Sequence, residues 1–237
     1  MNATQQRQEN GQHAVAARPK TLAEQILENT VEYTPFLGKD KIKLSVSMIR
    51  RFFCAKTKSG KTCTDEDAMR FIMLCRSRGL NPWEGDAYFL GYENEDGSVT
   101  YSLITAHQAF LKRAEAHPQF DGMESGLIVR TQDGELIERE GDFFDDGDFL
   151  LGGWSKVYRK DRGRPCYRRV KLLTFSTGKS RWKKDPAGMI VKVAEADALR
   201  SSFPTAVGGL YVEAELGAAI PSTQELVEAY QEPRESK

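Results

Sequence analysis

The sequence predicts an α+β fold: an antiparallel β-sheet built of hairpins, helices packed on it, and a helical N-terminal region. Three observations carry this. Asp-Gly pairs at Asp96-Gly97 and Asp133-Gly134 lie between β-prone runs, the strongest short-range hairpin signal. Ala68, Phe71, Ile72 and Cys75 fall at i, i+3, i+4 and i+7, the buried stripe of an amphipathic helix. From Pro186 to Arg200 the chain is apolar almost all round, as a covered helix is. With 237 residues and 40% apolar content, one domain can bury a substantial core. The expected limits are a disordered arm at 1–20, a single domain at 21–216 and a flexible acidic tail at 217–237.

In chain order, a short helix is expected over Leu22 to Glu28 and an apolar segment from Ile42 to Cys54. Thr64 reads as an N-cap, followed by Asp65, Glu66 and Asp67 where the helix dipole favours negative charge. Gly79 and Pro82 end that helix. A hairpin pairs Asp86 to Tyr92 with Val99 to Ile104. Thr105 and Gln108 have capping-box spacing and predict a helix running to about Ala116. Strands follow at Leu127 to Arg130 and Glu135 to Arg139. After the acidic loop Asp142 to Asp148, another pair runs from Trp154 to Lys160 and from Cys166 to Phe175. Asp185 caps the apolar helix, with Pro186 as its first residue. A shorter helix is expected over Ala206 to Leu216.

Charge is segregated. The formal net charge is zero, yet between Leu150 and Lys184 stand twelve basic residues against Asp161 alone. From Glu84 to Asp148 there are sixteen acids against four bases. Trp154, Tyr158, Tyr167 and Trp182 are interleaved with the basic residues. Dense positive charge with spaced aromatic rings suits a polyphosphate chain, because each neutralised phosphate releases a condensed counterion. By period-2 alternation, Lys156, Tyr158 and Lys160 share one face, as do Tyr167, Arg169 and Lys171; aligned, they make a basic surface lined with tyrosines. Opposite charge on two segments also lets copies of the chain meet, acidic face to basic face. Lys192 and Arg200 are cations on the apolar helix. They read either as partners of Glu195 and Asp197 at i,i+3 spacing or as groups lining a groove.

Other chemistries find little support. No apolar run approaches the ~18–20 residues that span a bilayer, and Met1 to Lys20 lacks the apolar core of a signal peptide. Cysteines 54, 63, 75 and 166 lack paired C-x-x-C spacing and read as reduced thiols rather than a zinc site. Asp142 to Asp148 lacks the ligand spacing of a calcium loop, and His13, His107 and His117 form no catalytic triad with a serine or cysteine. Residues 55–62 loosely match a phosphate-binding loop, with Ala55 in place of the first Gly. Such a loop needs a preceding buried strand and a helix opening at its Lys-Thr, whereas the helix is expected later, at Thr64. A nuclease or a nucleotide hydrolase using this loop stays open as the alternative to a binding protein.

Two stretches resemble the phage RecT/Redβ (Bet) single-strand annealing family. Arg78-Gly79-Leu80-Asn81-Pro82-Trp83 resembles its Gly-Leu-Asn-Pro signature, and the helix at 105–116 followed by Gln119 to Met123 matches in the same order. Trp182, Pro186, Met189 and Arg200 resemble its Trp, Pro, Met, Arg pattern, with Lys192 where many members carry Lys. The likeness spans about Thr64 to Tyr211. It implies an annealing core with a DNA groove, no cofactor, and ATP-independent annealing of single-stranded DNA into duplex by homo-oligomeric rings or helical filaments. It also implies a phage or prophage protein in the bacterial cytoplasm, partnered by a 5′–3′ exonuclease and the host single-strand-binding protein. Ala187 and Gly188 depart from a segment that is often basic, and the tail after Tyr211 is short. For phosphate contacts the combined reading selects Lys156, Arg168, Arg169, Lys171, Arg181, Lys183, Lys184, Lys192 and Arg200. Trp182 is taken as the groove aromatic, with packing in the core as its other reading, and Lys112 and Arg113 form a second patch on the exposed side of their helix. A passive single-strand coat protein remains the nearest rival within binding proteins.

Overall fold

A computed structural model describes residues 30–94, 96–178, 180–212 and 215. The arm at 1–20, the helix expected over Leu22 to Glu28 and the tail at 217–237 lie outside the described residues, as does Lys179.

A small antiparallel pair, β1 (Val31–Tyr33) and β2 (Ile42–Leu44), leads into one helical turn, α1 (Val46–Met48), that widens into a π-helical turn at Ile49–Phe53. Helix α2 (Asp65–Arg78) begins as expected. The Thr64 hydroxyl accepts the Asp67 amide while the Asp67 carboxylate accepts the Thr64 amide, a reciprocal capping box. It ends at Gly79 in the left-handed region, φ 57°, a conformation that costs a residue without Cβ little. Ala68, Phe71, Ile72 and Cys75 are all buried, so the predicted stripe is the buried one.

The hairpin β3 (Ala87–Glu93) and β4 (Val99–Thr105) pairs from Ala87↔Thr105 to Glu93↔Val99. Helix α3 covers His107–Glu115, and Ala106, not Thr105, is its N-cap. Thr105 does not cap because its backbone still belongs to the β4 ladder and its amide donates to the Tyr211 carbonyl. Its buried hydroxyl has no partner among the described residues.

The main sheet has the order β6-β5-β7-β8, antiparallel throughout: β5 (Phe120–Arg130), β6 (Leu136–Glu140), β7 (Phe149–Arg159) and β8 (Cys166–Lys171). Strands β5 and β7 are longer than expected. Strand β8 is shorter: Leu172–Phe175, expected as strand, turns into the helical segment α4. Helix α5 (Ser180–Lys184) precedes α6 (Pro186–Ser202), capped by the Asp185 carboxylate accepting the Gly188 amide at 2.8 Å. A Cβ on Gly188 would sit 2.6 Å from that carboxylate, so the cap itself requires the small residue that departs from the family pattern. Eleven residues of α6 are buried; it lies across one face of β5, β7 and β8 and makes the centre of the core. Among the described residues the last α-helix, α7, is only Pro204–Val207. The expected helix over Ala206 to Leu216 stops at Gly208-Gly209, and Leu216 lies outside the described residues.

Candidate nucleic-acid interface

The predicted cations divide between the two faces of the sheet. On the face away from α6, the register places Lys156 opposite Tyr167 and Trp154 opposite Arg169, so the two predicted faces do align. The surface is not freely basic, however. Acids of β5 and β6 share this face: Lys156 lies 3.7 Å from Glu124, Tyr158 donates to Glu124 at 3.0 Å, and Arg169 lies 2.8 Å from Glu138. Tyr167 donates to Glu138 and accepts from Arg169. Trp154 is buried beneath, its indole donating to the Arg139 carbonyl and its ring 4.9 Å from the Lys156 ammonium. Gly126 lets the strands come this close, since a Cβ there would lie 1.8 Å from the Arg139 carbonyl oxygen. Lys171 alone of Lys156, Arg169 and Lys171 has no ion pair among the described residues.

Arg168 points to the opposite face and bonds Asp197 of α6 at 2.7 Å. Lys112 bridges buried Asp86 at 2.8 Å and Glu84 at 3.3 Å. Arg113 is not on an exposed side: it donates to the carbonyls of Arg78 and Ala206 and covers the Phe36 ring at 4.6 Å. Burial lowers its pKa. Arg200 is held by Glu215, by the Leu210 carbonyl at 2.9 Å and over the Tyr211 ring at 4.7 Å; its distance to Asp197 is 4.0 Å. Trp182 is 6% exposed and belongs to the core, the second of its two readings, and not to the groove.

A different set converges on a cleft of about 250 Å³ beside α6. Lys192 and Met189 of α6 and Arg181 of α5 form one wall. Tyr88, Ile104 and the first turn of α3, His107 and Gln108, form the other. Of these, the sequence reading had selected Lys192 and Arg181 and had set His107 aside as no member of a triad. Tyr88 and Gln108 escaped it; the signal for Tyr88 is its alternation with buried Ala87 and Phe89 on β3, which turns it outward at 51% exposure.

Local physics explains the cleft's charge. Glu195, one turn after Lys192, is taken by His107 at 2.6 Å and Ser125 at 2.6 Å. Burial alone raises the pKa of this carboxyl; the two hydrogen bonds, with the charges of His107 and Lys192, outweigh it and hold the pKa below the ordinary value. The Lys192–Glu195 pair, one of the two readings of the sequence, is therefore replaced by a His107–Glu195–Ser125 network, and Lys192 has no ion pair within 4 Å among the described residues. Among the described residues no side chain caps the start of helix α3, which leaves positive dipole density at the cleft. Arg181 is 3.7 Å from Asp185 and its side chain is 59% exposed; Lys183 and Lys184 follow, exposed. Two cations, a helix start and an outward tyrosine are groups that suit a phosphate with an adjacent planar ring.

The loop at 55–62 is not a phosphate loop. A π-helical turn precedes it rather than a strand, and no helix opens at Lys61-Thr62. The Glu93 carboxylate accepts the Ser59 amide at 2.7 Å and Lys61 donates to the Gly97 carbonyl at 2.5 Å, so the groups a nucleotide needs are already engaged. Cys54, Cys63, Cys75 and Cys166 are all free thiols.

The family model described as RecT matches residues 42–229, most of the chain and nearly all of the fold described above. The chain belongs to the RecT family. Membership brings single-stranded DNA binding and strand annealing in phage recombination, on an α+β core with antiparallel sheets. Curated proteins give no match to this RecT-family chain. Among its described residues no helix is long and apolar enough to cross a membrane.

Proposed function

We propose that this protein anneals complementary DNA single strands without ATP, as a homo-oligomer, by holding each strand through its phosphates at the α3–α6 cleft. The carrying observation is the convergence of Lys192, Arg181 and the uncapped start of α3, with Tyr88 presenting a ring beside them. Annealing needs a strand gripped by its backbone while base edges stay free; surface cations meet that need, and deep base pockets would defeat it. Lys183 and Lys184 extend the path from Arg181. The engaged amide and lysine of the 55–62 loop support ATP independence. A 5′–3′ exonuclease that exposes the strands and a host single-strand-binding protein are the partners this role requires, in the bacterial cytoplasm.

The test is strand pairing by the pure protein. Two complementary oligonucleotides, one fluorescent and one quenching, are mixed with and without protein in the absence of nucleotide. Acceleration over the spontaneous rate is expected. Tight binding with no acceleration identifies a passive coat protein, and strand cleavage a nuclease; either outcome overturns the proposal.

A further inference from the structure

The two edges of the main sheet carry opposite charge in matching rows. Across the sheet, one row runs Glu140, Gly126, Trp154, Arg169 and the next runs Glu138, Ile128, Gly152, Lys171. Directly opposed residues point to the same face, so each row begins with an acid on edge strand β6 and ends with a base on edge strand β8. Neither β6 nor β8 has a backbone hydrogen bond on its outer side among the described residues. An exposed edge is a template for another strand.

We infer that copies of this chain assemble head to tail by pairing β8 of one subunit with β6 of the next, forming a sheet continuous between subunits. This deepens the homo-oligomer in the function proposed above by naming its contact. Strand direction favours it. With four strands alternating, β6 and β8 run in opposite directions, so a simple repeat continues the antiparallel ladder with the same face outward. In an unstaggered repeat Arg169 meets Glu140 of the next copy and Lys171 meets Glu138. The lengths match, six residues in β8 against five in β6. Like edges repel, so β6–β6 and β8–β8 pairing is disfavoured, and a heterologous contact of this kind builds rings or filaments rather than a closed dimer. Glu140 and Lys171 have no ion pair within the subunit among the described residues. The Arg169–Glu138 pair, 60% and 31% exposed, is of the surface kind that contributes little and exchanges readily.

The test is a charge swap read by sedimentation velocity, without DNA and with complementary oligonucleotides. E138K/E140K gives two basic edges; R169E/K171E gives two acidic ones. Each alone is expected to raise the midpoint concentration for assembly at least about tenfold, since opposed like charges cost several kcal/mol. An equimolar mixture is expected to restore assembly, because each basic edge again meets an acidic one; an effect on folding alone cannot be rescued by mixing. Should either double variant fail to melt cooperatively, E140Q and K171Q replace it, with a several-fold weakening expected. Wild-type-like assembly of either variant alone, a mixture that stays monomeric, or a wild type monomeric under both conditions overturns the inference. Strand pairing followed on the same samples separates the outcomes: annealing by wild type with unaltered assembly of the variants removes the edge contact and leaves the function standing.

Discussion

Arg200→Ala should destabilise the fold and spare DNA binding, although the family pattern offers Arg200 as a phosphate contact. Its guanidinium bonds Glu215, whose side chain is only 8% exposed, and the Leu210 carbonyl, and it covers the Tyr211 ring. Removing one partner of a buried pair costs about 3–5 kcal/mol. Arg200 retains 19% exposure and Glu215 keeps the Val212 amide at 3.0 Å, which places the pair at the low end. Together with the lost ring contact the cost is about 3 kcal/mol. For a chain of this size each kcal/mol moves Tm by about 2–4 °C, so a fall of roughly 6–12 °C is expected. Melting by circular dichroism and oligonucleotide affinity by anisotropy, on one preparation below the transition, read both effects. Affinity should stay within about twofold, a shift under ~0.5 kcal/mol. An unchanged Tm with a tenfold loss of affinity would refute the structural role and return Arg200 to the phosphates.

Lys192→Ala is the mirror case: with no ion pair to lose among the described residues, Tm should stay within about 2 °C, the effect of a surface change, while oligonucleotide affinity falls. Wild-type affinity should drop linearly in log–log terms with salt, with slope about −0.7 per phosphate neutralised; a flat response removes phosphate contacts from the account. Glu195 has a lowered folded pKa, so its contribution is present above the ordinary carboxylate value and is lost as pH falls through the folded one. Glu195→Gln should therefore flatten the acid limb of a Tm-against-pH curve, and an unchanged limb counts against the His107–Glu195–Ser125 network. Gly126→Ala must displace the Arg139 carbonyl and should cost about 1–3 kcal/mol in denaturant unfolding.

Local signals were legible and long-range ones were not. Helix α2 was readable from end to end because its cap, acidic first turn, apolar stripe and terminal glycine are all encoded within sixteen residues. Strand β5 was half missed: Asp121, Gly122 and Glu124 interrupt its first part, which has a register shift between Phe120 and Met123 and one exposed face. Leu172 to Phe175 carries β-prone residues and still turns helical, so tertiary context overrides propensity there. The cations were found as residues, but their availability was not. Arg168 meets an acid 29 positions away and Arg200 one 15 away, and no periodicity announces such pairs. The cleft was half legible for the same reason: Lys192 and Arg181 stood out by charge, while Tyr88 and Gln108 arrive from a hairpin and a helix start far earlier in the chain.

The central claim, that the α3–α6 cleft grips phosphates so that bases can pair, is met most directly by the annealing rate of Arg181→Ala/Lys192→Ala beside wild type. Without nucleotide, wild type should accelerate pairing of complementary oligonucleotides, and the folded double variant should fall toward the spontaneous rate, with activity partly regained at low salt. Wild-type annealing by the double variant at matched concentration and salt would contradict the account.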